Sequence, residues 1–250
     1  MNKEAYLKRI GFLGSHKPIL SNLHKLHELH VLNIPFENLD IHLNKKIVLA
    51  RNRIYKKVVE QMRGGFCYEL NYLFSQLLKE LGYSCKIISA RIFNSQGKRG
   101  PMFDHMAILV RHQTNWLLDV GFGDLFLKPI ALLKDQIQTD GLNFFKISKY
   151  NSSDYVLLMS ADGVKFEKKY TFNITPQSIS HFKKICLDKQ INSNSYFVKN
   201  LVCTKPTKVG RITVFNNKLI ERKLLTKKET LINGNVELLE IMRNRFNITI

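Results

Sequence analysis

Two adjacent glycines, Gly64 and Gly65, stand immediately ahead of the chain's cleanest amphipathic stripe, and this junction constrains the fold more than any other feature. Leu70, Phe74, Leu77, Leu78 and Leu81 recur at helical spacing from Cys67 onward, and Gly82 supplies a C-terminal stop. The pattern predicts one helix with an apolar face turned inward. Arg63-Gly64-Gly65-Phe66 makes a tight entry into its first turn, where glycine lets backbone and ligand approach closely. Cys67 therefore sits at a helix start. The unpaired amides and the macrodipole there stabilise an anion, and a thiol so placed can have its pKa lowered to roughly 3.5–7.5. The bland alternative is a buried structural cysteine, the common fate of a free thiol. Cys85, Cys186 and Cys203 lack the glycine and helix context and take that second reading.

Upstream, Leu20, Leu23, Leu26 and Leu29 also recur at near-helical spacing, with His24, His27 and His30 between them. That run ends at Asn33-Ile34-Pro35, where proline forbids continuation. Histidines three apart drift around a helix, and no carboxylate or cysteine completes a metal set, so a solvated helix face is the favoured reading. From Ser84 the pattern changes to strands, over 84–93, 103–111 and 116–120, with a hairpin turn within 112–115. Further short strands read at 144–148, 155–159 and 168–172. Residues 176–188 read as a helix, 195–223 as strands and 236–245 as a terminal helix. The class is α+β, with a sheet or small barrel in the middle.

The 39 Lys and Arg residues against 20 Asp and Glu give a formal net charge of +19. Such a surface attracts polyanions: nucleic acid, membrane headgroups or a phosphate-bearing small molecule. The excess is spread along the chain and is densest over 199–228, where nine basic residues face Glu221 alone. No helix-turn-helix, RNP or zinc-finger pattern accompanies it, so a solvated surface is favoured over a basic nucleic-acid-binding protein. With 44% hydrophobic residues in 250, the chain can bury a sizeable core, which excludes a disordered protein. No apolar run reaches the length of a membrane span and no apolar leader follows Met1, so the expectation is a cytoplasmic protein with reduced thiols. Without a CxxC or other zinc spacing, no metal is expected.

A thiolate nucleophile needs a histidine, and the histidine needs an orienting group. His105 lies in an apolar strand, preceded by Asp104 and followed by Met106-Ala107-Ile108. Asp119 ends the partner strand, ahead of Val120-Gly121-Phe122-Gly123. A turn centred on His112 sets His105 directly opposite Asp119. A turn centred on Gln113 leaves Asp119 two residues off on the same face, roughly 7–8 Å away diagonally. A turn centred between those two residues puts the side chains on opposite faces and breaks the pair. The spacing permits a His–Asp pair and leaves the register open.

Four ordered motifs make the sequence similar to the arylamine N-acetyltransferases. They are Ile34-Pro35-Phe36-Glu37-Asn38-Leu39, then Arg63-Gly64-Gly65-Phe66-Cys67-Tyr68-Glu69-Leu70-Asn71, then His105, then Asp119-Val120-Gly121-Phe122-Gly123. Cys67 and His105 are 38 residues apart, and His105 and Asp119 are 14 apart. The likeness is strong over about 33–125 and looser beyond. It implies an N-terminal helical bundle over 1–83 carrying the catalytic cysteine. A β-barrel over 84–190 would carry the histidine and aspartate, and an α/β lid would span 191–250. The core would be of the papain-like cysteine-protease type.

The same resemblance implies a triad of Cys67, His105 and Asp119. An acetyl group would move from acetyl-CoA, a co-substrate rather than a bound cofactor, to an aromatic amine, hydrazine or hydroxylamine through an acetyl-cysteine. The amides of Cys67 and Tyr68 are candidate oxyanion donors. Phe36 and Phe122 would line an aryl pocket, with ordinary core packing as the alternative. Pro101, Met102, Phe103 and Asp104, with Gly123, fall where the family contacts substrate or CoA. Glu37 and Arg63 are expected to pair across the glycine turn. The rivals are a family-type amide synthase and a Cys-His-Asp thioester or peptide hydrolase.

Overall fold

A computed structural model describes every residue except Leu125, Leu224 and Leu225. Helices α1 (Lys3–Ile10) and α2 (Leu20–Asn33) come first. A two-residue strand β1 (Phe36–Glu37), a single turn α3 (Leu39–His42) and α4 (Arg51–Tyr55) follow. Helix α4 runs on as a π-helical turn over Lys56–Glu60. Helix α5 (Cys67–Glu80) is buried along nearly its whole length, beyond the single stripe that its leucines announce. Helix α2 ends at Asn33, two residues ahead of Pro35.

The middle of the chain supplies β2 (Ser84–Ile92), β3 (His105–His112), β4 (Thr114–Leu118), β5 (Ile130–Ala131), β6 (Ile137–Thr139), β7 (Phe144–Lys149), β8 (Tyr155–Ser160) and β9 (Glu167–Phe172). They form one antiparallel sheet in the order β5-β4-β3-β2-β9-β8-β7-β6. Its two edge strands come together: the Gln138 amide donates to the Ala131 carbonyl and accepts from the Ala131 N–H, both at 2.8 Å. The sheet is thereby a nearly closed barrel, which removes edges that would otherwise offer unpaired backbone. One face of β3 packs on α5 through Met106, Ile108 and Val110, and the other turns Ala107 and Leu109 into the barrel.

Helices α6 (Ile179–Ile191) and α7 (Tyr196–Lys199) lead to β10 (Val202–Thr207), β11 (Gly210–Phe215), β12 (Lys218–Lys223), β13 (Thr226–Leu231) and the terminal α8 (Gly234–Phe246). These four strands form a second antiparallel sheet that begins with β1 from the start of the chain, in the order β1-β10-β11-β12-β13. Phe36 pairs with Thr204 and Glu37 with Cys203. Asn38 fixes the junction, accepting from the Val202 N–H at 2.7 Å and donating to the Phe197 and Asn200 carbonyls at 2.9 and 2.8 Å. On its other side β1 meets the glycine turn, where a Cβ on Gly64 would fall 2.2 Å from the Pro35 carbonyl oxygen. Only glycine permits that approach.

A buried ion cluster anchors this junction. The expected Glu37–Arg63 pair is present at 2.9 Å, and Arg63 also reaches Asp40 at 3.0 Å. Lys57, within the π-turn, reaches the same place, 2.8 Å from Asp40 and 3.0 Å from Glu69. Burial alone raises a carboxyl pKa, and Glu69 is raised. For Asp40 the same burial is outweighed by Lys57 and Arg63, and its pKa falls. Arg63→Met is expected to leave the Glu37 carboxylate, which has no solvent access, with only the Leu39 N–H at 2.8 Å and the more distant Lys57 at 3.7 Å. Breaking such a buried pair costs about 3–5 kcal/mol. In a chain of this size that lowers the melting temperature by roughly 6–20 °C. Thermal denaturation followed by circular dichroism measures it, and an unchanged midpoint would contradict the role given to the cluster.

Candidate active site

Cys67 is the first residue of α5 and is 4% exposed. The first backbone bond of the helix runs from the Leu70 N–H to the Phe66 carbonyl at 3.0 Å, so the amides of Cys67, Tyr68 and Glu69 lie ahead of it. The Glu69 carboxylate folds back to accept from the Phe66 N–H at 2.9 Å and fixes the entry. The lowered thiol pKa expected of a helix start does not emerge. Burial pushes Cys67 well above its ordinary value; Lys189 opposes this, while Cys186, Asp104 and Asp119 add to it. Loss of hydration is the largest cause of the rise.

The hairpin register is the second of the two permitted ones. Ile108 faces Leu118 and His112 faces Thr114, so the turn centres on Gln113, whose φ is 57°. Asp119 then lies diagonally from His105, and the ring closes the gap: His105 Nε2 donates to Asp119 Oδ2 at 2.7 Å, with both residues buried. Because a carboxylate only accepts, Nε2 carries the proton and Nδ1 is the free basic nitrogen.

Asn71 ties the three segments together. It lies one helical turn beyond Cys67 and donates to Asp119 Oδ1 at 2.9 Å and to the Met106 carbonyl at 2.7 Å. Its own oxygen accepts from the Val120 N–H at 2.9 Å. Asp119 Oδ1 also accepts from the Gly121 N–H at 3.1 Å. Gly121 in turn presses on the Cys67 backbone, since a Cβ there would lie 2.8 Å from the Cys67 carbonyl oxygen and 2.9 Å from its Cα. The start of α5, the start of β3 and the Asp119–Gly123 loop are thus locked into one site. No hydrogen bond links the Cys67 thiol to His105 among the described residues.

Aromatic rings enclose the imidazole. Phe122 stands 5.3 Å from His105, edge to face, and Tyr170 stands 5.6 Å away. Burial and the charge of Asp119 push the Tyr170 phenol well above its usual range, so it stays protonated. Phe122 is half-buried beside the histidine, while Phe36 is buried between Phe66 and Phe197 at 6.0 Å from each. Gly123 lies against Phe36 and Thr204, and its carbonyl accepts from Arg211. Arg211 is the member of the basic stretch 199–228 that touches this loop; Leu224 and Leu225 of that stretch lie outside the described residues.

The loop before His105 divides in two. Pro101 and Met102 are exposed, whereas Phe103 and Asp104 are held. Tyr68 Oη lies 2.9 Å from both the Phe103 and Asp104 carbonyls, and Ser89 Oγ accepts from the Phe103 N–H at 3.0 Å. Phe103 takes a φ of 62°, a costly conformation for a bulky side chain. The Asp104 carboxylate is occupied by Lys189 at 2.7 Å.

The solvated face expected for the histidines of α2 is overturned. His27 and His30 have no solvent access, and His24 is half-buried against Trp116. His30 Nε2 meets the Tyr6 hydroxyl at 2.9 Å. His27 Nε2 accepts from the Asp119 N–H at 3.2 Å. The stripe of Leu23, Leu26, His27, His30 and Val31 is a single buried face; His27 is paired at both ring nitrogens, and His30 through Nε2 alone, its Nδ1 being buried without a partner among the described residues. Among the described residues no group of histidine, cysteine and acidic side chains is arranged to hold a metal ion. Among the described residues no helix is long and apolar enough to cross a membrane.

Comparison with known proteins bears on the family and the fold. The model of the N-acetyltransferase family matches residues 19–250. The arylamine N-acetyltransferase of chicken, pineal gland isozyme NAT-3, is 30% identical over all of this chain and 95% of its own length. The solved Mycobacterium smegmatis arylamine N-acetyltransferase superimposes with a TM-score of 0.92 at 26% identity, over 99% of this chain and 92% of that one. The Mycobacterium marinum enzyme, solved in complex with CoA, has the same fold, with a TM-score of 0.91 at 24% identity over 99% and 93% of the two chains. With a family match across nearly the whole sequence and a full-length relative at this identity, the chain belongs to the arylamine N-acetyltransferase family of enzymes.

Proposed function

We propose that this enzyme moves an acetyl group from acetyl-CoA to an aromatic amine, hydrazine or hydroxylamine in two half-reactions through Cys67. The observation that carries this reading is the 2.7 Å His105–Asp119 bond, held by Asn71 beside the start of the Cys67 helix. The thiol is too buried to stand as a lone thiolate, so it needs a base at hand. His105 Nδ1 takes the Cys67 proton, and Asp119 stabilises the resulting imidazolium. The sulfur attacks the thioester carbonyl, and the oxyanion faces the orphan amides of the first helical turn. The carbon–sulfur bond to CoA breaks, and CoA leaves as its thiol with the proton from His105. In the second half the amine nitrogen attacks the acetyl-cysteine and gives its proton to His105. The Cys67 sulfur leaves and is reprotonated.

The co-substrate is supported by the CoA complex of the Mycobacterium marinum relative, and its phosphates suit a chain of charge +19. Phe122 beside His105 suits a flat aromatic acceptor. Intact-mass spectrometry after mixing with acetyl-CoA alone is expected to show one acetyl adduct on Cys67, discharged by an aromatic amine. Rapid discharge by water with no amine dependence would point to a thioester hydrolase instead. The absence of any adduct would sink the reading.

A further inference from the structure

One imidazole holds both ends of the loop that carries Asp119 and Phe122. His27 Nε2 lies 3.2 Å from the Asp119 backbone nitrogen, and His27 Nδ1 lies 2.9 Å from the Leu127 carbonyl oxygen. The chemistry fixes the tautomer. A carbonyl only accepts, so Nδ1 carries the proton, and Nε2 offers its lone pair to the Asp119 N–H. The ring is stacked on Phe126 with centroids 5.6 Å apart and stands edge-on to Phe74 of α5. It has no solvent access. An apolar side chain would fill the same volume, but it would leave a buried donor and a buried acceptor unpaired.

We propose that His27 is a positioning residue for the acetyl-transfer chemistry: its bond to the Asp119 N–H sets the direction in which Asp119 meets His105, and its bond to the Leu127 carbonyl orients the ring for that task. The inference rests on the roles given above to Cys67, His105 and Asp119. The clamp requires neutral imidazole, because a proton on Nε2 would face the Asp119 N–H. The surroundings secure that form. Burial lowers the His27 pKa to about 4, the Leu127 carbonyl and Asp119 raise it, and His24 on the same helix lowers it.

Three variants separate clamping from packing. His27→Phe keeps the ring and removes both bonds. His27→Gln places an oxygen near Nε2 and retains the acceptor for Asp119. His27→Asn places its amide near Nδ1 and retains only the donor for Leu127. The readouts are the rate of Cys67 acetylation by acetyl-CoA and the pH dependence of Cys67 alkylation by iodoacetamide, with melting temperature measured in parallel. Misorientation of a catalytic pair costs on the order of 100-fold. His27→Phe and His27→Asn are expected to acetylate some 10- to 100-fold more slowly, with the alkylation profile moved to higher pH. His27→Gln is expected to stay within a few-fold of the parent in both. A folded His27→Phe with parental rate and profile overturns the proposal. Should His27→Phe fail to fold, the Gln and Asn variants decide: a tenfold gap supports the clamp, and equal rates overturn it. If the parent itself takes no acetyl group, the functional reading has failed, whatever the variants do.

Discussion

Cys67→Ala is expected to leave no measurable acetyl transfer, a loss of at least about 10⁴-fold, because the covalent path has no substitute nucleophile. The three remaining thiols are poor candidates. Cys85 is turned to the Ser75 carbonyl at 3.2 Å and Cys203 is buried in β10 opposite Glu37, so neither shares the junction that Asn71 and Gly121 make between the start of α5 and the His105–Asp119 pair. Cys186 is the one that acts electrostatically on Cys67, yet its sulfur is engaged by Gln190 at 3.4 Å. The side chain removed is small and lies at the edge of a core that keeps Phe66, Leu70 and Phe74, so folding should survive. Steady-state assays with acetyl-CoA and an aromatic amine, alongside a melting curve, test this. A folded variant retaining a few per cent of parental turnover would show that Cys67 is not the acetyl carrier.

The sequence announced Cys67 because three independent signals met there: a glycine pair, a helical stripe and a thiol. Each is a local property, and local properties survive translation into structure. The His105–Asp119 pair was only half legible. Alternation fixed their strands, but the register turned on whether the hairpin bent at His112 or Gln113. That choice depends on Gln113 adopting a positive φ, which no residue type dictates. Asn71 carried a weaker signal: an amide on the buried side of α5, one turn from Cys67, is costly unless something pairs with it.

His27 carries the same signal. Its spacing from Leu23 and Val31 marks a buried face, but three histidines in a row suggested solvent. Their partners are remote in sequence, 92 residues away for Asp119 and 100 for Leu127, and no local pattern reveals them. Lys57 was hidden for a similar reason. Its burial rests on Glu37, Asp40 and Glu69, carboxylates brought in from other segments, and no local pattern marks a lysine for such a site. The high thiol pKa was missed because helix-end charge can be read from sequence, whereas desolvation depends on everything that packs around the sulfur.

Asp119→Asn changes almost no volume and is expected to cost about 10⁴-fold in kcat. The carboxylate takes three donors: His105 Nε2–H on Oδ2, and Asn71 Nδ2–H with the Gly121 N–H on Oδ1. An amide has one oxygen to offer. If that oxygen stays with Asn71 and Gly121, the new NH₂ group faces His105. The imidazole must then move its proton to Nδ1, and the only basic nitrogen points away from the thiol. If the amide flips, the Asn71 and Gly121 donors both face NH₂ in a buried site, at a desolvation cost of about 1–3 kcal/mol for each stranded group. The first arrangement costs less and is the one that destroys base function. The imidazolium also loses its counter-ion, so the thiolate form of Cys67 becomes harder to reach. The alkylation rate of Cys67 at neutral pH is therefore expected to fall, with its pH profile displaced toward that of a buried thiol. A variant within tenfold of parental kcat, with an unshifted profile, would mean that Asp119 does not set the tautomer of His105.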